Sequence, residues 1–119
     1  MQIQVNTSNG IENKEALERW ADAELREKLQ HFSAELTRIE VHMSDENGVK
    51  AGTADKRCTM EARLVHHQPL AASHHGATQD EAFRGAAEKL KRLLDHALGK
   101  QKDHRDRESI RKADVLAGE

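Results

Sequence analysis

The sequence holds a single cysteine, Cys58, so no internal disulfide can staple the fold. It lies in an alternating, strand-like stretch, and the expectation is a buried, reduced thiol in a cytoplasmic protein. No apolar run approaches the roughly 20 residues that a membrane-spanning helix needs. The opening MQIQVNTSNG lacks the basic start and apolar stretch of a secretory signal. Gly-x-Ser-x-Gly is absent, as are Cys–His pairing and a phosphate-cradling glycine loop; Gly48, Gly52 and Gly76 are too scattered for one. No catalytic set is visible, so an enzyme is the poorer reading. Neither a cofactor nor a small-molecule substrate is expected.

Metal-ligand spacing is also missing. Eight histidines are present, and His66-His67 and His74-His75 look clustered in the sequence. On a hairpin the first pair falls at the turn and the second at the far end of a strand. Seven or eight residues at about 3.3 Å each separate them by more than about 20 Å. Zinc needs its ligands within about 2 Å of one point.

Excess basic charge is lacking too. The 119 residues carry a net charge of −2 and a pI near 6.4, where a dedicated nucleic-acid binder is more often basic. The charge is unevenly spread. Residues 1–50 hold ten acids against six bases, whereas residues 89–105 hold six bases against two acids. Local fields guide binding, because charges beyond about 10 Å are screened at moderate salt.

What the chain does contain is one strongly marked helix, Thr78 to about Leu98. Thr78 and Glu81 form a capping box, and Gly99 is a candidate stop. Phe83, Ala86, Ala87, Leu90, Leu93, Leu94 and Ala97 recur at three- and four-residue steps, which makes one apolar stripe. At about 100° per residue, Lys89, Arg92, His96 and Lys100 share one flank with no acid among them. The other flank mixes Arg84, Lys91 and Lys102 with Glu88 and Asp95. A row of cations suits a phosphate backbone, or it is simply a solvated helix face.

The rest of the chain reads as short alternating strands and one more helix. Gln2 to Thr7 alternates, and Ser8-Asn9-Gly10 turns it. Asn13 is a candidate cap for a helix to about Phe32, with Leu17, Ala21, Leu25, Leu29 and Phe32 as its buried stripe. Trp20 lies at the edge of that stripe, where it covers the rim of the core or stacks on a base. Thr37 to Ser44 alternates next, followed by a turn around Asn47-Gly48 and a loose loop over Val49 to Asp55. Lys56 to Val65 alternates with Cys58, Met60, Ala62 and Leu64 inward. His66-His67-Gln68 is the expected turn, and Pro69 to His75 a fourth strand with Pro at its start. After Gly99 the chain is charged and weakly periodic; helical fraying to about Arg105 and a flexible tail over 103–119 are expected.

The order is β-α-β-β-β-α. Each of the last three strands has one apolar face, so both helices must cover the same side of the sheet. The expected fold is α+β, a two-layer sandwich with a four-stranded sheet and two helices on one face.

Order and residues together resemble the ribosome hibernation promoting factors, also described as ribosome-associated inhibitors or ribosomal subunit interface proteins. The resemblance spans about residues 1–102. It rests on the opening MQIQV, on KLQHF (Lys28 to Phe32), on Ala82-Phe83, and on the run Lys89-Leu90-Lys91-Arg92-Leu93-Leu94. It implies a domain that binds ribosomal RNA of the small subunit, in the channel for messenger and transfer RNA, and shuts off translation under stress or in stationary phase. By position, the RNA contacts fall on Arg26 and Lys28 in the first helix and on Lys89, Arg92 and Lys100 in the second. His96 stands at a later Lys position of the family. The sequence departs from the pattern at Asp80, Leu93 and His96, which should weaken phosphate contacts. The alternative is a divergent paralogue with the same fold, binding a protein through the open sheet face of Arg38, Glu40, His42, Arg57, Glu61 and Arg63.

Overall fold

The structure, a computed structural model, describes residues 1–8, 11–45 and 56–117, with side chains as far as Gly99. The expected turn at Asn9-Gly10 and the loop over 46–55 lie outside the described residues. Strands β1 (Gln2–Thr7), β2 (Leu36–Asp45), β3 (Lys56–Leu64) and β4 (His67–Gly76) form one sheet in the order β1-β2-β3-β4. Helix α1 (Lys14–Lys28) carries the chain from β1 to β2, which are parallel; β2–β3 and β3–β4 are antiparallel. Helix α2 starts at Gln79. The α+β sandwich expected from the periodicity is the observed fold.

The alternation decides which face is buried. Ile39, Val41 and Met43 of β2 and Cys58, Met60, Ala62 and Leu64 of β3 form one apolar surface. Ala21 and Leu25 of α1 and Ala82, Phe83, Ala86, Ala87, Leu90 and Leu94 of α2 close over it in a single core. Helix α1 packs against β1, and α2 lies across β3 and β4. Burial pushes the Cys58 thiol up to about 12, so it stays protonated and unreactive at neutral pH.

Helix α1 ends earlier than its stripe suggests. The Leu29 amide closes the last α-turn onto Leu25, and Gln30–Phe32 continues as a 3-10 turn that still buries Phe32. Asn13 precedes the helix but is left-handed, with φ 54, and its side chain makes no capping bond. Asn tolerates that conformation, and here its backbone carbonyl, not its amide group, takes the Leu17 N–H.

The β3–β4 turn is shorter than expected. It is Val65-His66, closed by the Leu64–His67 pair, and His66 has φ 59, a region in which His is over-represented among non-glycine residues. Strand β4 therefore begins at His67, and Pro69 lies within it instead of at its start. An edge strand tolerates the missing N–H. The capping box at α2 is present in a shifted form. Thr78 Oγ1 accepts from the Glu81 amide at 3.1 Å, and Glu81 reaches back to the Ala77 amide at 2.8 Å.

Gly99 does not stop α2, whose helical backbone runs Gln79–Ala117. A lone glycine costs a helix only about 1 kcal/mol relative to alanine, so it terminates one only when the following residues also leave the helix. The side chains of the 103–119 segment lie outside the described residues. Leu93, placed in the stripe by its spacing, is 38% exposed. It sits toward the cationic flank, off the centre marked by Leu90 and Leu94.

Two glycines are required by close approach. A Cβ on Gly76 would meet the Ala82 amide nitrogen and the Glu81 Cβ, each at 2.8 Å. A Cβ on Gly85 would collide with Cδ2 of His74, whose ring crosses the helix there. His74 pairs with Cys58 and so points to the helix side of β4. Gly85→Ala should therefore destabilise the domain by about 1–3 kcal/mol through overpacking. In a His74→Ala background the same change should stabilise by about 0.5–1 kcal/mol, the helix preference for alanine over glycine. Denaturant unfolding of the four proteins measures this sign change; equal effects in both backgrounds would contradict the contact.

Candidate nucleic-acid interface

Helix α2 buries Leu90 and Leu94 and thereby fixes what its flanks present. Lys89, Arg92 and His96 are exposed on the side identified from the spacing. The Lys89 ammonium donates to the Ser73 carbonyl of β4 at 2.9 Å, which ties the helix to the edge strand. Arg92 and His96 make no hydrogen bond or ion pair among the described residues. Lys100 follows about one turn after His96 on the helical backbone, and its side chain lies outside the described residues.

The two cations assigned to α1 diverge. Arg26 is held on its own helix and strand: its Nε pairs with Asp22 at 2.6 Å, and its Nη1 donates to the Met1 carbonyl at 3.1 Å. Lys28 faces α2 and forms an ion pair with Glu88. The structure thus brings Lys28 to the α2 face and leaves Arg26 over β1.

The seam between the helices is polar at its surface and aromatic beneath. Arg84 faces Glu24 at 3.9 Å, and Lys28 meets Glu88 one turn further along. Trp20 packs on Phe83 with ring centroids 4.8 Å apart, and the Arg84 guanidinium lies 5.7 Å from the Trp20 ring centroid. Trp20 therefore covers the rim of the core and stacks within the protein.

Glu88 is the residue that sequence reasoning missed. Lys28 holds its carboxyl below the usual carboxylate range, by hydrogen bond and then by charge, and Lys91 and Arg92 add to this. A carboxyl held down in this way adds stability above its unfolded pKa, and that stability is lost as pH falls through the folded value. The Lys28–Glu88 contact joins residues 60 apart in the chain, and no local pattern announces it.

The open sheet face is charged but internally compensated. Arg38 pairs with Glu40 at 3.1 Å and also bonds Gln4, and Arg63 faces Glu61 at 3.4 Å. Glu40 stands opposite Glu61, and Arg38 opposite Arg63, so each in-strand pair offsets a like-charge cross-strand neighbour. Among the described residues, no group of three or more His, Cys, Asp and Glu is placed to hold a metal ion. Among them, too, no helix is long and apolar enough to cross a membrane.

A small α+β domain with a cationic helix flank above a four-stranded sheet is the class of protein defined so far. Residues 3–102 match the family model described as Sigma 54 modulation protein / S30EA ribosomal protein, and the chain belongs to that family. A ribosomal subunit interface protein from Coxiella burnetii has a similar structure, with a TM-score of 0.66 at 18% identity, covering 83% of this chain and 99% of its own. The N-terminal domain of Protein Y from Thermus thermophilus is similar with a TM-score of 0.63 at 18% identity, covering 81% and 98%. At that identity the two structures speak for the fold alone. None of the curated proteins compared with the chain matches it.

Proposed function

We propose that this protein is a cytoplasmic, non-catalytic regulator that binds ribosomal RNA of the small ribosomal subunit, in the channel for messenger and transfer RNA. By occupying that channel it inhibits translation under stress or in stationary phase. The observation that carries this reading is the exposed flank of α2. Lys89, Arg92 and His96 project together from a helix whose opposite face is locked into the core. Membership of a family described as ribosomal supports the choice of partner. Lys100, about one turn after His96 on the helical backbone, is assigned to the same contact; Lys28 adds a cation from α1 across the seam, and Arg26, held over β1, a separate one. No cofactor, membrane or small-molecule substrate enters the proposal.

A second reading places a protein partner on the open sheet face, whose alternating Arg and Glu would suit a partner of mixed charge. Co-sedimentation with purified small subunits separates the two. RNA binding releases counterions and falls steeply with salt, whereas a mixed-charge protein contact falls less. Failure to co-sediment at low salt would overturn the ribosomal reading.

A further inference from the structure

Helix α2 carries an acid in the midst of its cations. Glu88 is ion-paired to Lys28 across the seam, its side chain 49% exposed, three residues before Lys91 and four before Arg92. On a helix those spacings make near neighbours. An ammonium donates to a carboxylate oxygen and to a phosphate oxygen with the same geometry. A phosphate approaching Lys28 therefore meets an ammonium whose charge is already offset by an anion of this chain.

We propose that Glu88 is a built-in competitor for RNA phosphate. It neutralises Lys28 in the free protein, so docking on RNA exchanges the internal carboxylate for a backbone phosphate. The inference rests on the ribosomal reading and names a residue that sets its affinity. The exchange is easy, because an exposed ion pair is weakly held and further screened by salt. The low proton affinity of the Glu88 carboxyl, caused first by Lys28 and then by Lys91 and Arg92, agrees with an anion at the centre of this cation group. Glu24 makes the other seam pair at 3.9 Å from Arg84 and is a natural control.

The test is Glu88→Gln measured by co-sedimentation with purified small ribosomal subunits over a salt series. Binding should tighten about three- to tenfold at low salt, and the slope against salt should steepen by about one unit. The gain should vanish in the Glu88→Gln/Lys28→Gln double variant, and Glu24→Gln should give less. Thermal unfolding of each variant reports on the fold separately. If wild type binds and Glu88→Gln matches it in affinity and slope, the inference is overturned while the ribosomal reading stands. A gain that persists without Lys28 would likewise overturn it, since net charge alone would then explain the effect. Absence of binding by every variant at low salt would overturn the ribosomal reading, and the inference with it.

Discussion

Replacing Lys89 and Arg92 together with Glu should remove co-sedimentation with small ribosomal subunits and leave the domain folded. Each exchange turns a cation of the proposed phosphate-binding flank into an anion. Like charges brought together cost several kcal/mol, so affinity should fall on the order of a hundredfold or more. The salt slope should also flatten, by about one unit for each phosphate that the protein no longer neutralises. Both side chains are exposed, and the core beneath α2 is untouched. The structural cost is the Lys89 bond to the Ser73 carbonyl, an exposed interaction whose net contribution is about 1 kcal/mol, and a few tenths of a kcal/mol for an acid placed four residues after Glu88. Circular dichroism and thermal unfolding should therefore resemble wild type. Wild-type affinity in the double variant would show that RNA contacts another surface.

Leu90→Ala should destabilise the domain by about 2–5 kcal/mol, because Leu90 is fully buried under α2 and its truncation leaves a cavity. Domains of this kind have only about 5–15 kcal/mol in total, so the variant loses a large share of its stability. Leu93→Ala, three residues on, should cost less than about 1 kcal/mol, since Leu93 is 38% exposed. Denaturant unfolding of the two variants checks the contrast. Similar destabilisation of both would mean that α2 is rotated on the sheet, and the cationic flank would then not face solvent as described.

That Leu90 and Leu93 look alike in sequence shows where pattern reading stops. Both fit a three- and four-residue step, and only packing on β3 and β4 tells the centre of the stripe from its edge. The strands are more legible. In β2 and β3 the alternation Ile39, Val41, Met43 and Cys58, Met60, Ala62 fixes the buried face, because a one-residue slip would turn every apolar side chain outward. Turns and ends are less so. His66 takes a positive φ that no glycine advertises, and Gly99 sits inside a helix although its place after the apolar stripe marks it as a stop.

The candidate site divides the same way. Helical periodicity is enough to put Lys89, Arg92 and His96 on one flank. The fit of the His74 ring over Gly85 and the pairing of Lys28 with Glu88 depend on how separate elements pack. Neither leaves a local trace in the chain, yet the second decides how much of the cationic surface is left without an internal counter-charge.

The most direct test of the account is the binding of the wild-type protein to purified small ribosomal subunits from low to moderate salt. The protein should bind at low salt, and the binding should weaken steeply and linearly in log affinity against log salt, with a slope of several units. Absence of binding at low salt, or binding indifferent to salt, would contradict it.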